Sequence, residues 1–232
     1  MTINTNLSNT YKYDTHVHTS EVSILCGTIN ARDTVKLYKK AGYQGICITD
    51  HYCKDYFDNL NGSWKEKTQQ FLSGYHAALE EGNKVGLDVI LGAEFCLNDQ
   101  TRNDYLIIGI TEKFLFEAKE LYNLSLQALC NLIKENGMMI FQAHPMREGM
   151  KILDYNLLNG IEVLNGHPIQ KSNNQAAYEY AKEYNLKMLA GSDCHFLSGV
   201  GKSGIYTDTI ISNSQELMKI LENNEYNIIG EL

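Results

Sequence analysis

At 232 residues, with 44% hydrophobic and 21% charged side chains, the chain is long enough for one sizeable core and too apolar to be disordered. No apolar run is long enough to span a bilayer, and residues 1–10 lack the basic and apolar stretches of a secretory signal, so a soluble, cytoplasmic protein with no membrane partner is expected. The formal charge of -8 gives no electrostatic reason to bind duplex nucleic acid, and a small phosphorylated substrate is the expected partner.

Pro145 and Pro168 are the only prolines, and no stretch reads as a linker, so a single domain over 1–232 is expected. In chain order, a strand at 11–16 precedes a helix at 31–40, which Asn30 would cap and Gly42 would end. A strand at 45–49 and a helix at 63–82 follow, then strands at 89–93 and 105–110 and a long helical pattern at 112–135. Strands at 138–142, 161–164 and 187–190 enclose a helix at 173–184, and a strand at 205–209 with a helix at 214–223 closes the series. Such alternation implies βα units around a largely parallel sheet and closes naturally into an α/β barrel. The six cysteines lack CxxC spacing and are read as free thiols.

Chemistry-bearing residues gather where strands end: Asp14-Thr15-His16-Val17-His18, then Thr49-Asp50-His51, Gly92-Ala93-Glu94, Ala143-His144-Pro145 and Gly191-Ser192-Asp193-Cys194-His195. In barrels the strand C-termini form the catalytic face, because their loops bring distant residues to one point. Of the seven histidines only His76, on a helical face, lies away from such a place. Imidazole nitrogens and carboxylate oxygens suit zinc, manganese or iron, and His16 and His18, two apart on a strand, share a face and can share one ion.

This ordered set of five motifs resembles the PHP family (polymerase and histidinol phosphatase), from Asp14 to about Thr207. The resemblance implies a distorted seven-stranded β/α barrel holding two or three divalent ions, with phosphoesterase activity. It implies His16, His18, Glu94 and Asp193 as ligands of a first ion, Glu94 bridging to a second that His144 also binds, and His51 and His195 as ligands of a third. Where many members carry a further histidine after the HxH, the chain reads Ser20-Glu21-Val22-Ser23-Ile24, making Glu21 the candidate substitute. Asp104 similarly stands near the place of another expected histidine, and a carboxylate there would favour harder ions such as manganese. Asp14 and Asp50 are expected to orient the neighbouring histidine rings.

The reaction expected is phosphomonoester hydrolysis by a metal-activated hydroxide, with Glu94, Asp193 and His195 as the catalytic residues and His195 as one candidate acid for the leaving alkoxide. Arg147, His167 and Lys202 are the candidate substrate contacts. Protein-tyrosine phosphatase and oligonucleotide phosphodiesterase activities share this chemistry and stay open. A non-catalytic metal-binding module is a further alternative. Cyclic-amide hydrolysis is disfavoured, because such enzymes characteristically bridge their metals with a carbamylated lysine where this chain has Glu94.

Overall fold

Alternating apolar runs and amphipathic stretches give eleven strands and eight α-helices in a computed structural model that describes residues 10–23 and 26–231. Residues 1–9, on which the expected lack of a signal sequence rests, lie outside the described residues, as does Ile24 of the loop after the HxH. One sheet holds β1 (Tyr11–Val17), β2 (Gly45–Ile48), β4 (Asp88–Leu91), β10 (Gly204–Thr207) and β11 (Asn227–Ile229), in the order β11-β10-β1-β2-β4. The other holds β3 (His51–Cys53), β5 (Ala93–Cys96), β6 (Asp104–Ile108), β7 (Met139–Gln142), β8 (Gly160–Asn165) and β9 (Lys187–Gly191), in the order β3-β5-β6-β7-β8-β9.

The sheets adjoin at two seams. On one side β2 runs into β3 through Thr49 and Asp50, and β4 runs into β5 through Gly92; the Glu94 N–H donates to the Asp50 carbonyl at 3.2 Å. On the other, Val17 pairs in parallel with Cys194, just past β9. The fold is therefore mixed α/β, and not as parallel as the sequence implies. β6 lies antiparallel to both β5 and β7, because the β5–β6 connection is too short for a crossover helix and makes a hairpin instead. As a result β6 presents its first residue, Asp104, on the side where β5 ends.

Helix α1 (Ala31–Lys40) has the expected cap, the Asn30 side chain accepting from the Asp33 N–H, and buries Ala31, Thr34, Val35 and Tyr38. A short α2 (Lys54–Asp58) follows β3. The helix expected over 63–82 is divided at Leu72 into α3 (Trp64–Phe71), with a Ser63/Glu66 capping box, and α4 (Ser73–Val85). Gly74 allows α4 to begin hard against Thr19 and Asp50, where any side chain would collide. The pattern over 112–135 likewise divides into α5 (Glu112–Glu117), a 3-10 turn at Leu121–Asn123 and α6 (Leu126–Glu135), with Glu120 in left-handed backbone and Ser125 capping anew. Helices α7 (Asn174–Glu183) and α8 (Ser214–Asn223) lie where expected.

A large aromatic cluster underlies β3 and β5, with Tyr52 stacked on Phe95 at 4.3 Å between centroids and Phe57, Phe71 and Tyr122 around them. Each such buried ring is worth about 1.5–3 kcal/mol of transfer free energy, which fixes these two short strands despite their length. No helix among the described residues is long and apolar enough to cross a membrane.

Candidate metal centre

Burial and backbone pinning bring the strand ends together. Asp14 in β1 accepts from the backbone N–H of His16 (3.1 Å) and of Ser192 (2.9 Å), and its other oxygen accepts from the Tyr38 hydroxyl (2.6 Å) and the Ser192 hydroxyl. It thereby ties β1 to the segment after β9. Gly191 makes that approach possible, since a side chain there would meet the Cβ of His16. Asp50 accepts from the Thr19 N–H and hydroxyl, both at 2.7 Å, and from the Ser23 hydroxyl at 3.2 Å. Both aspartates therefore position backbone and loop rather than imidazole rings, contrary to the sequence expectation. Burial pushes Asp14 up to about 6 and Asp50 up to about 7 even against these hydrogen bonds.

Glu94 stands among four imidazoles. Its Oε1 lies 3.1 Å from His144 Nε2 and 3.3 Å from His16 Nε2; its Oε2 lies 2.8 Å from His51 Nδ1 and 3.4 Å from His18 Nε2. Asp193 Oδ1 is within 3.5 Å of His16 Nε2, 3.4 Å of His18 Nε2 and 3.2 Å of His195 Nδ1. His16 and His18 present Nε2 to Nε2 at 3.0 Å, and His51 and His195 do so at 3.4 Å. Asp104 joins at the edge, its carboxylate 3.9 Å from His144 Nε2.

This donor set fits divalent cations. Glu94 is fully buried, yet its Oε2 receives no aligned hydrogen bond, a costly arrangement for a carboxylate unless a cation satisfies it. Five groupings among the described residues have the spacing to hold an ion: two include Glu94, with His16 and His18 or with Asp104 and His144; two include Asp193, with His16 and His144 or with His167 and His195; the fifth is His18, His51 and His195. Burial disfavours the charged form of His16, but Glu162, Glu94 and Asp193 outweigh it and hold its pKa well above the ordinary value. His18, buried and facing His195 and His51, is pushed well below. Burial also pushes the Cys26 thiol up, but hydrogen bonds with His195 and His51 outweigh this and bring it down to about 6.

The backbone is left-handed at two of these positions and strained at His144. His144 has φ 30° and Asp193 φ 50°, a left-handed region that residues other than glycine, asparagine and aspartate seldom adopt.

Glu162 is a site residue that sequence reading missed. Wholly buried on β8, it faces His16 Nδ1 through Oε1 at 2.9 Å, and its Oε2 accepts from the His144 backbone N–H and from Asn165 Nδ2, each at 2.9 Å. It fixes the His16 tautomer, leaving Nε2 free to ligate. The signal available was a lone charge within the apolar run Ile161-Glu162-Val163-Leu164.

The remaining candidates separate. Arg147 reaches the site, its Nη2 donating to Asp193 Oδ2 (2.8 Å), Asn165 Oδ1 (3.1 Å) and Ser172 Oγ (3.3 Å). His167 also lines the pocket; its Nδ1 accepts from the Ile169 and Gln170 N–H groups at 3.2 and 2.9 Å, so Nε2 carries the proton in the neutral ring. Two others are not brought in. Both carboxylate oxygens of Glu21 accept from the Ala31 N–H, at 3.1 and 3.0 Å, where the positive end of α1 holds them. Lys202 is exposed and is not among the residues lining the pocket.

Against known proteins, the sequence profile of the PHP domain matches residues 14–228. The chain belongs to the PHP domain family. No curated protein matches significantly. Among solved structures, a two-domain Bacteroides vulgatus protein containing a predicted PHP-like metal-dependent phosphoesterase aligns at 19% identity and TM-score 0.68, covering 96% of this chain. The PHP chain spans 65% of that protein's length. A proposed metal-dependent phosphoesterase from Bifidobacterium adolescentis aligns at 18% identity and TM-score 0.55, over 90% of this chain and 95% of its own. A lesion-specific endonuclease from Pyrococcus furiosus aligns at 12% identity and TM-score 0.60, over 94% of this chain and 57% of its own. At these identities the likeness is one of fold.

Proposed function

We propose that this PHP chain hydrolyses small phosphomonoesters with the help of two or three divalent ions. The observation that carries the reading is Glu94, whose buried Oε2 has no aligned donor although the carboxylate stands at the meeting point of four imidazoles. His16, His18, Glu94 and Asp193 would hold one ion, Glu94 and His144 with Asp104 a second, and His51 with His195 a third. Bound there, such ions supply Lewis-acid stabilisation of phosphoryl oxygens and bring a water's pKa close to neutral. The strand order with its two seams fits the distorted barrel that the family resemblance implies.

Around them the protein's own groups prepare for an anion. Arg147 offers a guanidinium already oriented by Asp193, Asn165 and Ser172, and His167 offers an Nε2–H donor of fixed tautomer. The pocket they line measures about 550 Å³, and a neighbouring 590 Å³ cavity with apolar walls from Val22, Tyr56 and Leu60 shares His51 and Asp104. Those volumes suit a small substrate with an apolar leaving group. Asp55 and Glu148 on the walls, with a net charge of -8, work against a long polyanion.

A panel of monoesters, diesters, phosphotyrosine peptides and abasic duplex DNA, run with manganese, zinc and iron, tests this. Small monoesters are expected to turn over fastest. Faster cleavage of the DNA overturns the substrate assignment in favour of an endonuclease, and faster release from peptides in favour of a protein phosphatase. Stoichiometric metal without turnover on any member overturns the enzymatic reading.

A further inference from the structure

We propose that Arg102 receives a second anionic group on the substrate, a carboxylate or a further phosphate, and so makes this PHP chain selective for small phosphomonoesters that carry one. The inference rests on the phosphomonoesterase reading above and deepens it by naming the substrate class. Only three of the 20 basic residues are arginine: Arg32, Arg102 and Arg147. Two of these, Arg102 and Arg147, line the pocket of about 550 Å³ that holds Glu94 and His144, and no lysine does. Lysine is much the commoner cation in this chain, so a wall carrying arginine alone points to the planar fork rather than to charge as such. That fork matches carboxylate and phosphate oxygens two at a time.

The three guanidinium groups differ in what already holds them. Arg32 is paired with Glu80, away from the pocket. Arg147 is 13% exposed and is engaged by Asp193, Asn165 and Ser172. Arg102 is exposed and has no carboxylate partner among the described residues, although Glu148 lines the same pocket. A guanidinium open to solvent while lining a pocket stands at its mouth. A phosphoryl group seated on Arg147 and the metal positions therefore leaves Arg102 to another part of the substrate. Arg102 does not line the neighbouring cavity with apolar walls, so the second anionic group and the apolar part of the leaving group have separate places.

The loops fix where Arg102 stands. Before it, Thr101 donates through its N–H (2.7 Å) and its hydroxyl (2.6 Å) to Asp99 Oδ1. After it, the buried Asn103 accepts from the Lys151 N–H at 3.1 Å, and the Lys151 carbonyl accepts from Gln142 Nε2 at 3.1 Å. The β5–β6 connection is thereby fastened to the segment that follows His144. In that segment Gly149 has left-handed backbone, φ 84°, and the Arg102 side chain lies along it: a Cβ there would stand 3.4 Å from Arg102 Cδ and 3.6 Å from Nη1. A stem resting on backbone has less rotamer freedom to lose on binding, which suits a long side chain to the role of receptor.

Calorimetry on the manganese-loaded protein with propylphosphonate, 3-phosphonopropionate and propane-1,3-diphosphonate, which share a three-carbon chain and differ at its end, tests this. The two compounds with a charged end should bind about 10-fold tighter than propylphosphonate, the weight of one charge-assisted hydrogen bond. Arg102→Ala should bring that ratio close to one, and Arg102→Lys, which keeps the charge, should return part of it. Whichever compound loses more in Arg102→Ala identifies the preferred group as carboxylate or phosphate. Equal affinity for all three in the unmutated protein, a ratio that survives Arg102→Ala, or a loss shared equally with propylphosphonate overturns the inference. Turnover of 3-phosphoglycerate and glycerol 3-phosphate on the same samples separates the two readings. Arg102→Ala should abolish a preference for 3-phosphoglycerate through KM rather than kcat. A binding ratio without turnover of either ester defeats the phosphatase alone, and turnover without a preference that Arg102→Ala removes defeats the second anion site alone.

Discussion

The centre and the rim of the metal cluster are built differently. At the centre His16, His18, Glu94 and Asp193 are almost wholly buried, and Glu162, Asn165 and Asp14 brace them through buried hydrogen bonds. At the rim the His51 side chain is 25% exposed and Asp104 19%, Cys26 sits on a turn and His167 lies in the loop after β8. Buried polar networks of the first kind have little freedom to rearrange, because each unmet group costs free energy. On the proposed function the centre would therefore secure metal binding as such, while the rim would be free to set which metal and which substrate.

The largest effect should come from Glu94→Ala, which removes the oxygens facing four imidazoles. Bound metal and phosphoester turnover should both fall to background, measured by elemental analysis and p-nitrophenyl phosphate hydrolysis. Retention of either would erase the distinction between centre and rim. Glu162→Gln keeps the shape but loses the charge facing His16, and a loss of about 10–100-fold in metal affinity or turnover is expected. A Glu162→Gln protein with unchanged metal affinity and turnover would show that packing alone orients the ring.

Chelation should lower the melting temperature, since metal at a hundredfold over its dissociation constant adds about 2.7 kcal/mol of stability. An unchanged transition would mean that the centre is rigid without its ions. Asp104→Asn should move the preference from manganese towards zinc in competition assays while costing less activity than Glu162→Gln. The smallest effects belong to the two residues lying apart from the cluster. Glu21→Gln should cost about 1 kcal/mol through weaker interaction with the start of α1, with metal content unchanged, and Lys202→Ala should alter neither stability nor turnover.

Much of this arrangement is legible in the chain because the motifs follow strands, and parallel strands deliver their ends to one side. His51 and Glu94 were readable in that way even though β3 and β5 were not. Those strands are three and four residues long and continue β2 and β4 after a break of one or two residues, too short for a periodic signal. Glu162 escaped notice because its value lies in a partner 146 residues away. Glu21 drew attention through its residue type, but the path of a loop follows from capping and backbone hydrogen bonds that periodicity does not encode. Helix interruptions at Leu72 and Glu120 were hidden for a similar reason, since local patterns on either side read as continuous.

The left-handed backbone at His144 and Asp193 bears on how such a chain would drift. At His144 this carries about 1–3 kcal/mol of conformational strain that glycine would relieve, whereas aspartate tolerates the region at Asp193. If metal chemistry were no longer required, glycine at position 144 would relieve that strain while removing an imidazole from beside Glu94.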